Sequence, residues 1–230
     1  TTLAVGAYGN DGAGDRAGHA RVFAWDPVEK EWVKRGEDID GEAAGDWSGW
    51  SMSLSADGTA LAVGAFNNDG GPGSDAGHAR VFAWDPVEKK WKQRGGNIDG
   101  EAAGDKSGYS VSLSADGTTL AVGAPNNGGT GPYAGHARVF AWDSVEETWV
   151  QRGGDIDGEA AGDRSGWSVS LSADGTTLAV GAIFNAGAGS NAGHARVFAW
   201  DPVEKEWVKR GEDIDGEAAG DQSGISVSLS

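Results

Sequence analysis

Cysteine is absent from this chain, methionine occurs once, and basic residues are scarce, with 18 Lys and Arg against 35 Asp and Glu in 230 residues. Without cysteine there can be no disulfide, thiol nucleophile or thiolate metal ligand, although this does not fix the compartment. A net charge of −17 lacks the basic footprint that nucleic acid or an anionic membrane surface requires, so neither is expected as a partner. No apolar run approaches the ~20 residues of a membrane-spanning helix, so no membrane insertion is expected. The chain opens Thr1-Thr2-Leu3 with neither Met nor a signal-peptide pattern, and so reads as excised from a longer polypeptide. G-x-S-x-G, P-loop and H-E-x-x-H signatures are all missing. On that ground the chain is expected not to be an enzyme and to carry no cofactor.

Glycine, tryptophan and repetition fill the space. There are 40 Gly and 11 Trp, and each aromatic ring buries a large area. LAVGA begins at Leu3, Leu61, Leu120 and Leu178, a period of 58, 59 and 58 residues, and GHARVFAWD recurs around His19, His78, His136 and His194. Self-similarity at this period marks a stacked or radial repeat architecture.

Each period contains four strand-like segments. In the second copy, Ser48–Ser55 alternates Trp50, Met52 and Leu54 with serines, the period of two of a strand with unlike faces. Ala-Asp-Gly, a tight-hairpin signal, leads to a second strand over Thr59–Ala65. His78–Trp84 is β-branched and aromatic, and Lys90–Gly95 reads as a short polar outer strand, followed by a loop into the next copy. No segment shows a sustained helical period.

Four short antiparallel strands repeated four times predict an all-β fold, a β-propeller of four four-stranded blades forming a single domain over residues 1–230. The chain stops at SVSLS where other copies continue with ADG, so the first and last repeats are expected to share one blade, the ring being closed by pairing of the N- and C-terminal strands. On this reading the protein is a monomer. Two chains forming a larger ring is the alternative, and a β-solenoid is a third option whose coils are usually shorter.

Two segments, SGYSVSLSADGTTLAVGAP (Ser107–Pro125) and SGWSVSLSADGTTLAVGA (Ser165–Ala182), resemble the FG-GAP repeat of integrin α-subunit propellers. In that repeat an FGxSV strand leads through a loop to a strand ending GAP. The resemblance implies a propeller and an extracellular or cell-surface setting. Ser48, Ser107, Ser165 and Ser223 stand where the family has Phe, and only Gly123-Ala124-Pro125 completes GAP. The family's aspartate-rich calcium loop is reduced here to ADG, and one carboxylate cannot supply six to eight oxygens. No calcium is therefore expected there.

The four histidines belong to separate blades and read as structural positions rather than a metal or catalytic cluster. Trp25, Trp84, Trp142 and Trp200 read as blade-to-blade core. GEAAGD carries Asp46, Asp105, Asp163 and Asp221 into the innermost strand, mainly as turn-capping side chains. The residue that follows varies between copies, as Trp47, Lys106, Arg164 and Gln222. The loop before each His varies too, and two of these loops hold Asn10, Asp11 and Asp15 or Asn68, Asp69 and Asp75, a poor match to a cation loop. Connections between strands 2 and 3, and from strand 4 to the next blade, emerge on one face of a propeller, so this variation gathers on one surface. The eight Asp and variable residues are the candidate ligand contacts, with no catalytic residue and no metal site. The expected function is non-catalytic recognition of a protein or extracellular ligand. A glycan-binding, lectin-like propeller and a purely structural module from recent duplication or design are the alternatives.

Overall fold

The computed structural model describes residues 1–230 and contains no helix, hence none long and apolar enough to cross a membrane. Four antiparallel sheets follow one another along the chain, as a propeller of four blades requires. Blade 1 comprises β1 (Thr2–Ala7), β2 (His19–Asp26), β3 (Glu31–Lys34) and β4 (Ile39–Asp40). Blade 2 adds an inner strand, β5 (Ser51–Leu54), before β6 (Ala60–Ala65), β7 (His78–Asp85), β8 (Lys90–Gln93) and β9 (Ile98–Asp99). Blade 3 repeats this with β10 (Ser110–Leu113), β11 (Thr119–Ala124), β12 (His136–Asp143), β13 (Thr148–Gln151) and β14 (Ile156–Asp157). Blade 4 does so with β15 (Ser165–Leu171), β16 (Thr177–Ala182), β17 (His194–Asp201), β18 (Glu206–Lys209) and β19 (Ile214–Asp215).

The two-residue strands β4, β9, β14 and β19 lie in the segment that the sequence reads as loop. Each pairs with the histidine end of the third strand, as in His136↔Asp157 and Ala137↔Ile156. Two residues cannot display an alternation, which is why the pattern is silent there.

The core lies between blades. One face of blade 2 offers Ala60, Ala62, Ala79, Val81 and Ile98, and blade 3 lays Leu120, Val122, Phe140 and Trp149 against it. The same step recurs between blades 3 and 4, where Ala121, Ala137 and Val139 meet Leu178, Val180, Phe198 and Trp207. Period-two alternation thus gives each strand a small face and a large face, and successive blades mate small to large. In LAVGA the glycine has a specific duty. A Cβ on Gly123 would strike the carbonyl oxygen of Gly166 in the next blade, so only glycine admits that approach.

Tryptophans complete the seams. Trp142 and Trp149 face each other across β12 and β13 with ring centroids 5.4 Å apart. Trp149 Nε1 donates to Arg94 O of the preceding blade at 2.8 Å, and the Arg94 guanidinium lies 4.4 Å from the Trp142 ring. Arg35 with Trp84 and Trp91, and Arg152 with Trp200 and Trp207, repeat the arrangement. Trp25, by contrast, is 39% exposed.

The expected pairing of the terminal strands is not formed, and this corrects the closure read from the sequence. β1 hydrogen-bonds to β2 alone. Residues Ser223–Ser230 lie beside blade 4, where Ser168 Oγ donates to Gly224 O at 2.7 Å and Leu229 N to Ser170 Oγ at 3.0 Å. β10 and β15 make the same contacts with the blade before them. The blade-to-blade step therefore carries the last segment one wedge beyond blade 4, not back to β1. Leu3 and Val5, whose counterparts in the other blades are buried, are left half exposed.

Candidate ligand-binding face

Each inner strand is entered through a Ser-Gly turn. Tyr109 N donates to Lys106 O at 3.2 Å, and Gly108 between them has φ 81°, the positive angle a type II turn demands at its third position. Trp50 with Trp47, and Trp167 with Arg164, repeat the turn. The residue after GEAAGD is left-handed in every copy, with φ 57° at Trp47, 60° at Lys106, 60° at Arg164 and 53° at Gln222. Such angles are uncommon for side chains of this size.

The two regions of sequence variation meet. Lys106 N donates to Asp75 O, and Arg164 N to Tyr133 O, so the residue after GEAAGD is tied to the loop before the preceding histidine. Lys106 Nζ reaches Asn67 Oδ1 at 2.6 Å and Asp75 Oδ1 at 3.0 Å. The Arg164 guanidinium lies 4.7 Å from the Tyr133 ring and bonds Asn126 Oδ1.

Between these rims runs a continuous band of rings. Tyr8 contacts Trp47 and Trp50, at centroid separations of 5.4 and 5.1 Å. Phe66 lies 5.0 Å from Trp50 and 5.2 Å from Tyr109. Tyr109 lies 4.6 Å from Trp167, which approaches Phe184 at 6.4 Å. The band crosses all four blades. Tyr8 and Trp50 are exposed, Trp47, Tyr109, Trp167 and Phe184 are half-buried, and Phe66 is buried beneath them. Burial raises the Tyr109 hydroxyl above its ordinary value, so it stays a neutral donor at pH 7.

Trp50, Tyr109 and Trp167 are site residues that sequence reasoning passed over. They occupy the position after Ser-Gly, which varies as Trp, Tyr, Trp and Ile225. Aromatic enrichment at the entrance of the inner strand was the available signal, but it reads equally as core.

Asp46, Asp105 and Asp163 face inward, while Asp221 is exposed. Asp105 Oδ2 accepts from Glu101 N, Ala102 N and Asn127 Nδ2 at 3.1, 2.9 and 3.0 Å, and Asp46 and Asp163 are buried in the same turn. Asp221 accepts from Ala218 N at 2.7 Å. Asp57, Asp116 and Asp174 of the ADG hairpins are likewise engaged by neighbouring Ser and Thr groups. In the loops weighed for cation binding, Asn10 and Asp11 accept from Gly12 N and Arg16 N, and Asn68 and Asp69 accept from Gly70 N and Asp75 N.

The histidines lie deeper, below the same face. His78, His136 and His194 are almost fully buried. Burial, with a smaller push from the neighbouring arginine, lowers His78 to about 3 and His136 to about 4, so both are neutral at pH 7.

Comparison with known proteins agrees with this architecture. The family profile described as "FG-GAP repeat" matches residues 156–198, within a single period. No curated protein matches the chain. Among solved structures, a putative 6-phosphogluconolactonase from Bacteroides uniformis is 16% identical with a TM-score of 0.57, over 94% of this chain and 55% of that one. A putative 6-phosphogluconolactonase from Bacteroides fragilis is 15% identical with a TM-score of 0.57, over 90% and 50%. The periplasmic gluconolactonase of Pseudomonas aeruginosa is 19% identical with a TM-score of 0.54, over 91% and 52%. The chain spans about half the length of these structures, and at such identity the likeness is one of fold.

These neighbours correct the expectation that the chain is not an enzyme. Proteins described as lactonases share its arrangement of blades, so missing sequence signatures do not exclude catalysis. The physical reason is that a propeller can gather reacting groups from loops of separate blades. No local motif need record them.

Proposed function

We propose that this propeller is a recognition module whose loop face binds a sugar-class ligand. The aromatic band from Tyr8 to Phe184 carries this reading. Sugar rings present apolar C–H faces that pack on aromatic side chains, with hydroxyls left for polar groups at the edge. Lys106, Arg164, Gln222 and Trp47 supply that edge, while Asp46, Asp105, Asp163 and Asp221 hold the loops carrying them.

A second reading is favoured by the solved neighbours. A sugar lactone held on the same face would be hydrolysed there, in line with the activity named for those proteins.

A glycan array, followed by titration of the tryptophan fluorescence, tests the binding. Trp50→Ala and Trp167→Ala should each weaken a bound sugar by roughly 1–3 kcal/mol, the worth of a large aromatic contact. No binding to any glycan or aldonolactone, or affinity unchanged in the double variant, would refute it. Turnover of gluconolactone or 6-phosphogluconolactone, abolished by the same changes, would establish the second reading.

A further inference from the structure

The seams between blades place a glutamate from one repeat opposite the histidine of the next. His136 Nδ1 lies 3.8 Å from Glu101 Oε2, beyond hydrogen-bond distance. His136 is 1% exposed, and neither ring nitrogen has a hydrogen-bond partner within the chain. Buried polar nitrogens are rarely left so. Asp155 completes the group, with ligand atoms of Glu101, His136 and Asp155 all within 4.8 Å of one another. Gln151 Nε2 donates to Asp155 Oδ1 at 2.7 Å and adds no charge. Arg138 Nη1 approaches Glu101 Oε1 at 3.7 Å and leaves Oε2 toward the histidine.

The neighbouring seam provides an internal comparison. There Glu42 and His78 hold the same places, at 3.6 Å, but the third position is Asn97. Its Nδ2 donates to Glu42 Oε2 at 3.0 Å, so an ordinary amide–carboxylate hydrogen bond joins the two side chains. Asp155 cannot donate in this way. Two carboxylates and a buried imidazole then converge with no hydrogen bond joining them, an arrangement that a cation would complete. In the third seam, Glu159, His194 and Asp213 converge likewise, but the Lys209 ammonium lies 2.5 Å from Asp213 and supplies a positive charge from within the chain.

We propose that Glu101, His136 and Asp155 form a binding site for a divalent transition-metal ion of the zinc class, bridging blades 2 and 3. One imidazole nitrogen and carboxylate oxygens are a donor set zinc accepts. Tetrahedral bonds of ~2.0–2.2 Å put ligand atoms about 3.4 Å apart. The observed separations need contraction of about an ångström or less on average, within reach of the exposed Glu101 and Asp155 side chains. A neutral imidazole offers a lone pair to the metal.

Isothermal titration of the full chain with Zn²⁺ tests the site, with Co²⁺ absorption reporting the ligand field. One tight ion per chain is expected. Asp155→Asn, which copies the Asn97 seam, should abolish it with little change in the metal-free Tm. Asn97→Asp places a carboxylate beside Glu42, His78 and Gln93, and should raise the tight stoichiometry to two. His136→Gln should remove the cobalt ligand-field bands. No tight Zn²⁺ binding, or a stoichiometry unaltered by both Asp155→Asn and Asn97→Asp, would overturn the proposal.

Discussion

Leu120 and Leu3 occupy the same place in the repeat, yet the fold treats them differently. Leu120 is fully buried against Val122, Phe140 and Trp149, whereas Leu3 is 42% exposed on β1, whose inner edge has no paired strand. Leu120→Ala removes three buried carbons, about 2.4 kcal/mol at ~0.8 kcal/mol per methylene. The cavity left behind raises the cost to about 3–4 kcal/mol. Leu3→Ala removes atoms that are already half wet and leaves no enclosed void, so it should cost about 1 kcal/mol. For a chain of this size, ~2–4 °C per kcal/mol turns the difference into roughly 4–12 °C of Tm. Urea denaturation followed by both tryptophan fluorescence and far-UV circular dichroism gives the two values on one scale. Leu61→Ala and Leu178→Ala, also fully buried, should behave like Leu120→Ala. Equal losses for Leu3 and Leu120 would show that β1 is covered, and the reasoning from its open edge would fail.

Three further outcomes are expected. Gly123→Ala should destabilise by more than ~2 kcal/mol, because its Cβ meets a backbone carbonyl, while Gly128→Ala, with open space around it, should stay within about 0.5 kcal/mol; thermal melts that fail to separate the two would contradict the close blade contact. Trp149→Phe should cost on the order of 1 kcal/mol for the lost indole bond to Arg94 O, and a stability matching the parent's would remove that bond from the account of the seam. The lowered histidines fix a pH dependence: the unfolded chain binds protons near pH 6.5 that His78 and His136 refuse until about pH 3 and 4, so their contribution is whole above pH 6.5 and is lost as pH falls toward those values. In EDTA, Tm should therefore fall from pH 6.5 to 5, the fall should shrink in the His78→Gln/His136→Gln double variant, and a flat profile in the parent would refute it.

Much of the blade was legible because strand alternation, hairpin chemistry and the LAVGA period are local properties. Ser48–Ser55, Thr59–Ala65 and Lys90–Gly95 each contain the strand found there, and His78–Trp84 stops one residue short of β7. The variable residues after GEAAGD were also legible as neighbours of the variable loops, and the Lys106–Asp75 contact joins the two. The aromatic band was not. Tyr8, Trp50, Tyr109 and Trp167 come from four repeats, and neither period nor spacing says that rings from separate blades touch. The Glu101–His136–Asp155 group was hidden for the same reason, since it spans a seam.

By itself, then, the sequence determined what one blade is. Its strand order, its small and large faces and its glycine turns follow from residue chemistry within one 58-residue period. Only the tertiary structure decided how blades follow one another. It set which aromatic rings and carboxylates meet across seams, and it carried Ser223–Ser230 past blade 4 rather than back to β1. The reason is geometric. The rotation from blade to blade is fixed by packing small side chains against large ones, and that sum over many contacts leaves no mark in any single repeat.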